Sequence, residues 1–241
     1  MTTTTDQAKQ AVRERVWSRL EQAGAVAPGV HGRIPAFAGA DQAAQRLTAL
    51  PAWQNAQVIK AVPDKAQLPV RIRALEAGKL LYMAVPRLAE ELPFYLLDPA
   101  SLNAPPAEAA TSQSAARLAR KIGVDEMRPV DLVICGSVAA NHTGVRLGKG
   151  AGYSDIEVAL LAEAGLLPQQ AVIVTTMHEL QVLDEELPED DHDFRVDLIV
   201  TPQRVIECGP AKRPGGLSWD RLAPDKIAAI PVLAQMSRMR Q

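Results

Sequence analysis

The chain has 241 residues, 47% hydrophobic and 22% charged, which is enough apolar material for one large α/β unit and excludes a disordered or collagen-like chain. Aromatics are only 4%, so Leu, Val, Ile and Ala must supply the packing. The net charge of −2 excludes a generally basic nucleic-acid binder, while leaving room for local phosphate sites. No apolar run reaches the length of a membrane span and the N-terminus lacks the apolar core of a signal peptide, so the expectation is a cytoplasmic protein with no membrane partner. Cys135 and Cys208 border apolar runs and read as buried reduced thiols.

In chain order, residues 1–5 read as a disordered tail. Residues 6–24 read as a helix, with Val12, Val16 and Leu20 at helical spacing and Gly24 as a stop. A Pro/Gly-rich loop covers 25–40, and a helix at 41–49 ends before Pro51. Residues 58–62 suggest a strand, 70–77 a helix closed by Gly78, and 80–85 a buried parallel strand. Another strand is expected at 94–97, a surface connection at 98–110 and a helix over 112–121 behind the Thr111 cap. A strong strand at 131–135 leads into a loop, 136–152, and then a helix over 154–164. Strands at 171–175 and 196–200 and a closing helix over 225–236 complete the chain. Short apolar strands alternating with helices predict an α/β fold: a mostly parallel sheet with helices on both faces, in a single domain spanning 1–241.

The most informative stretch is Arg146-Leu147-Gly148-Lys149-Gly150-Ala151-Gly152-Tyr153-Ser154-Asp155. Alternating glycines between a buried strand and a helix let the backbone adopt positive φ and present successive N–H groups to an anion. The helix start adds unpaired N–H groups, and Arg146 and Lys149 add charge. It is not a Walker loop, because no Gly-x-x-x-x-Gly-Lys-Ser/Thr is present, nor a dinucleotide fingerprint, whose next required glycine falls at Tyr153. The same stretch also reads as a flexible turn with incidental charges.

Arg-Leu-Gly-x-Gly-x-Gly-Tyr-x-Asp resembles the signature loop of the 5-formyltetrahydrofolate cyclo-ligases, also called methenyltetrahydrofolate synthetases. Lys9 and Arg13 resemble the family's N-terminal Lys-x-x-x-Arg, Gly78-Lys79 with Pro86 its Gly-Lys strand, and Gln181, His192-Asp193 and Val196-Asp197 its C-terminal block. The resemblance runs from about residue 9 to residue 202. His31-Gly32-Arg33-Ile34-Pro35, Thr111-Ser112-Gln113 and Thr201-Pro202 are similar to a divergent branch, the methenyltetrahydrofolate-synthetase-domain proteins. Some of that branch carry an RNA-recognition domain; none is expected here, and no aromatic RNA-binding signature is present.

The resemblance implies an ATP- and magnesium-dependent ligase that closes 5-formyltetrahydrofolate to 5,10-methenyltetrahydrofolate. Its partners would be ATP and a reduced folate or related small molecule. Lys9, Arg13, Arg146, Lys149 and the backbone of Gly148, Gly150, Ala151, Gly152 and Tyr153 would hold ATP. Arg146, Lys149 and Tyr153 would act at the reacting groups, and Asp155 and Asp193 would hold Mg2+. Asp64 and Tyr153 would face the substrate. The residues alone leave other readings open. Lys9 and Arg13 could form a solvated helix face, Asp155 could serve the helix dipole, and Asp193 could belong to a solvated acidic loop. His178 and His192 read as structural. The pattern departs from the family at Ser154, where a second tyrosine is usual. It departs again at Asp64, which stands for a glutamate and has Lys65 beside it as a pairing candidate. These departures keep two alternatives in play: an ATP-using family member with another substrate, and a non-catalytic nucleotide-binding module.

Overall fold

The computed structural model describes residues 4–209 and 212–240. In chain order the helices are α1 (Thr4–Gln22), α2 (Ala40–Thr48), α3 (Pro51–Gln54), α4 (Leu68–Glu76), α5 (Pro106–Ala109), α6 (Ser112–Leu118), α7 (Tyr153–Glu163), α8 (Pro224–Ala229) and α9 (Pro231–Met239). The strands are β1 (Val58–Ala61), β2 (Leu80–Ala84), β3 (Phe94–Leu97), β4 (Arg120–Ile122), β5 (Leu132–Cys135), β6 (Ala139–Asn141), β7 (Arg146–Leu147), β8 (Val172–Thr176), β9 (Val182–Leu183), β10 (Leu198–Val200) and β11 (Val205–Glu207). Among the described residues, eight strands form one sheet in the order β11-β10-β8-β5-β1-β2-β3-β4. Its middle, β10-β8-β5-β1-β2, is parallel, and β11, β3 and β4 run antiparallel at the edges. A smaller sheet, β7-β6-β9, stands beside it.

Strand pleating sends alternate residues into two cores. Val58, Val133, Cys135 and Ile173 join α7 and α9 on one face. Ile59, Ala61, Ile134 and Val174 join α2 and α4 on the other. This is the α/β fold with helices on both faces that the alternating pattern predicts. A third core packs Val16, Trp17 and Leu20 of α1 against Ala139 and Leu147 of the small sheet and the preceding Val138.

The chain runs from β1 to β2 on one side and returns through β5 on the other side of β1. That reversal opens a crevice at the carboxyl ends of β1 and β5, the usual ligand position in open α/β sheets.

Several local expectations are corrected. Thr4 and Thr5 belong to α1 rather than to a tail, and residues 1–3 lie outside the described residues. The helix expected over 112–121 stops at Leu118, and Arg120–Ile122 forms the outer strand β4. Its charged Arg120 and Lys121 suit an edge and disguise it as a helix end. The loop expected over 136–152 contains β6 and β7, too short to show alternation. The connection at 98–110 carries the single-turn α5. The closing helix is broken at Ile230, held at φ −113° and ψ 103° by the following Pro231, which starts α9. Both cysteines are free; Cys135 is buried and Cys208 only partly so.

Candidate functional site

The crevice is a cleft of about 520 Å³. β1 delivers Asp64 through the loop that follows it, β2 is followed by Pro86 and Arg87, and β5 leads through the β6–β7 pair into the glycine loop. α1 closes the cleft with Lys9 and Arg13. Every candidate site residue read from the sequence lines this one cleft.

Lys9 and Arg13 do not form a solvated face. They are 6% and 9% exposed, on the inward stripe of α1 with Val16 and Leu20. Arg13 Nε donates to Gly148 O at 2.7 Å, so α1 grips the glycine loop directly. Lys9 Nζ donates to Asp190 Oδ2 at 2.7 Å and to Asp193 Oδ2 at 2.5 Å. Burial pulls the Lys9 ammonium down, but the two carboxylates overcome it and leave its pKa above the ordinary value. Burial pushes the Asp193 carboxyl up; Lys9 and the Asp190 N–H more than reverse this and hold it low. Asp193 is therefore a structured, ionised group rather than part of a solvated acidic run.

Arg146 is 4% exposed and pairs with Asp155 at 2.5 Å, its guanidinium 4.0 Å above the Phe194 ring. Burial alone would lower its pKa, but Asp155 leads the charges that raise it. Its Nε is buried with no hydrogen-bond partner among the described residues. A fixed cation with an unanswered donor suits an anionic ligand oxygen.

The glycines do conformational work at two positions. Gly150 has φ 92° and Gly152 φ 70°, the left-handed region. A Cβ at Gly150 would also meet Arg13 Nη1 at 3.3 Å. Gly152 is the N-cap of α7 and supplies no side-chain acceptor to the helix's first N–H groups. Those groups and the positive dipole end face the loop.

Lys149 Nζ lies 3.3 Å from Asp64 Oδ1 across the cleft. Asp64 is thus paired with the glycine loop, and Lys65, the neighbour expected to pair with it, is exposed instead. Arg71 secures this loop from below, donating to the carbonyls of Val62, Pro63 and Asp64. Tyr153 lines the cleft with Lys226 Nζ 4.0 Å over its ring. Among the described residues, no group of three or more His, Cys, Asp or Glu forms a ready metal cage. Asp155 and Asp193 would fit a magnesium ion that takes its other ligands from phosphates and water, as that ion usually does.

Sequence reasoning passed over four groups. Lys60 in β1 and Glu157 in α7 form a fully buried ion pair, and Glu157 lines the cleft floor. Burial pushes the Glu157 carboxyl up while Lys60 pulls it back. The available signal was a charge inside each of two apolar runs. Arg87 lines the cleft at φ 61°, next to Leu88 at φ 51°. Two consecutive non-glycine residues in the left-handed region are costly backbone, and the full burial of Leu88 helps hold them. The fourth, Lys226, comes from far along the chain. Conversely, Gln181, His178 and Asp197 are structural. Gln181 donates to Ser137 O, His178 caps a turn by accepting from Leu180 N–H, and Asp197 accepts from Ile173 N–H.

Together these features define a three-layer α/β protein with a glycine-loop cleft, lined by paired cations and carboxylates, at the carboxyl ends of its parallel strands. The chain belongs to the 5-formyltetrahydrofolate cyclo-ligase family, whose model matches residues 5–202. It is similar to methenyltetrahydrofolate synthase domain-containing proteins of Mus musculus, at 39% identity over 95% of this chain and 63% of that protein, and of Bos taurus, at 36% over 97% and 63%. The divergent branch expected from the sequence is therefore the right one. The chain spans about 63% of the length of these curated relatives. In fold it resembles the Aquifex aeolicus 5,10-methenyltetrahydrofolate synthetase, with a TM-score of 0.55 and 20% identity, covering 89% of this chain and 99% of that one. Among the described residues, no helix is long and apolar enough to cross a membrane.

Proposed function

We propose that the chain works as a single cyclo-ligase-like domain that uses ATP to close 5-formyltetrahydrofolate into 5,10-methenyltetrahydrofolate. The observation that carries this reading is the orphaned, buried Arg146 Nε beside the Gly150–Gly152 cradle, in a cleft that α1 closes with two further cations. The formyl oxygen attacks the γ-phosphorus of ATP; the new O–P bond forms as the bond to the β,γ-bridging oxygen breaks, and ADP leaves. Nitrogen 10 then attacks the formyl carbon and loses its proton, and the former formyl oxygen departs with inorganic phosphate.

The protein's part is positioning and charge neutralisation. Arg146 and Lys149 balance charge on the transferring phosphoryl group. Lys9, Arg13 and the N–H groups of Gly148–Tyr153 hold the remaining phosphates. Asp155 and Asp193 would hold magnesium, which would supply charge neutralisation on the phosphates. Tyr153 and Asp64 face the substrate. The test is ADP release: the purified protein with Mg·ATP should form ADP only when 5-formyltetrahydrofolate is added. ADP formation that ignores the folate counts against the reading.

A second reading keeps the ATP chemistry and changes the substrate. It is favoured by Ser154, which leaves one aromatic wall where the family has two, and by the Lys149–Asp64 pair, which engages the carboxylate meant for the folate. ADP release stimulated by a different small molecule, and not by reduced folates, would select it.

A further inference from the structure

Residues beyond 202 lie outside the span that the family model matches, yet one of them holds the glycine loop. Lys226, in α8, donates from Nζ to Ala151 O at 2.6 Å. The same ammonium stands 4.0 Å over the Tyr153 ring. One cation thus grips the loop on both sides of Gly152, the N-cap of α7.

The base of this lysine is itself anchored. Leu217 N–H donates to Glu163 Oε2 in α7 at 2.7 Å, and Lys212 Nζ donates to Asp190 O at 2.8 Å. Leu222 and Ile227, on either side of Lys226, pack on the core that contains Ile156 and Leu160 of α7. The segment therefore has its own hold on the fold, and the Lys226 side chain spans from it to the loop.

The direction of approach has a consequence for the backbone. Lys226 does not line the phosphate cleft; it borders a second cleft on the far side of the loop, and Ala151 and Gly152 border both. A trans peptide points its C=O and its N–H in opposite directions. The described residues contain no cis peptide, so drawing Ala151 O toward Lys226 turns the N–H of Gly152 the other way. That N–H makes no hydrogen bond among the described residues. A buried-side donor left open next to Arg146 and Lys149 is available to an anion.

We propose that Lys226 is a positioning residue for the phosphate cleft: by holding Ala151 O from outside, it sets the Ala151–Gly152 peptide so that the Gly152 N–H faces a phosphate oxygen. This rests on the phosphate reading of the cleft and deepens it.

The test titrates magnesium tripolyphosphate into the wild type, Lys226→Met and Lys226→Arg by calorimetry, and follows the Gly152 amide resonance by NMR. Lys226→Met keeps the bulk over Tyr153 and loses the donor to Ala151 O, so affinity should fall roughly tenfold, the scale of one charged hydrogen bond. Lys226→Arg keeps charge and donors and should recover most of that loss. The ratio of wild-type to Lys226→Met affinity should persist at high salt, because a misplaced peptide is not cured by screening, whereas the loss of a nearby charge is. In the wild type, tripolyphosphate should shift the Gly152 amide. Binding without that shift overturns the positioning role even if Lys226→Met does not fold. So does an unchanged affinity in Lys226→Met, a loss that Lys226→Arg does not recover, or a loss that vanishes at high salt; each leaves the phosphate cleft standing. A wild type that binds no tripolyphosphate would overturn the phosphate reading itself.

Discussion

Lys9 Nζ and Asp193 Oδ2 stand 2.5 Å apart, joining two residues separated by 184 positions in sequence. One is the proposed phosphate ligand and the other the proposed metal ligand. Asp190 is a second partner of the same ammonium, at 2.7 Å. In the proposed complex an entering Mg·ATP would give Lys9 and Asp193 each a new partner of the right sign.

This pair predicts an acid-sensitive fold. Asp193 has a depressed pKa in the folded protein, so its contribution to stability is present above the ordinary aspartate value of about 3.9 and is lost as pH falls through its lower folded value. Asp193→Asn should therefore lower Tm at neutral pH and flatten its fall below about pH 4. Thermal melts across pH 2–7 check this; a parallel shift at all pH values would show that Asp193 is not the titrating group.

The Lys60–Glu157 pair predicts a different pattern. Removing one charge strands the other in the core, so Lys60→Met should cost about 3–5 kcal/mol. For a chain of this size that lowers Tm by roughly 6–20 °C. The double variant Lys60→Met/Glu157→Leu should recover most of the loss. Denaturant unfolding of the single and double variants measures both effects.

Arg146→Lys keeps the charge but gives up the planar fork that reaches Asp155 and covers Phe194. Mg·ATP affinity should fall by about 1.5–3 kcal/mol, the scale of a charged hydrogen bond, as should that of Lys149→Ala. Calorimetry reads both. Unchanged affinity in either variant would remove that residue from the phosphate site.

The parallel sheet was legible because β1, β2, β5 and β8 are mostly buried and therefore mainly apolar, Lys60 in β1 being the one charge among them. The glycine loop was legible because glycine most readily takes the left-handed backbone found at positions 150 and 152. The rest depends on distance in sequence. Nothing near Lys9 announces Asp190, and nothing near Tyr153 announces Lys226. Lys65 was the obvious partner for Asp64 by adjacency, but the loop turns it outward and Lys149 arrives from the far side. β4, β6 and β7 were hidden because two or three residues cannot display alternation.

Ser154→Tyr restores the second aromatic wall. If a pterin stacks there, affinity for 5-formyltetrahydrofolate should rise by about 0.5–1.5 kcal/mol with Mg·ATP affinity unchanged. Fluorescence titration with the folate checks it; no gain would favour the reading with a different substrate.

The most direct measurement is absorbance at the methenyl-folate band after mixing the protein with 5-formyltetrahydrofolate and Mg·ATP. The account predicts a rise that requires ATP and is lost in Asp155→Asn. No rise, in a protein that still binds Mg·ATP, would contradict it.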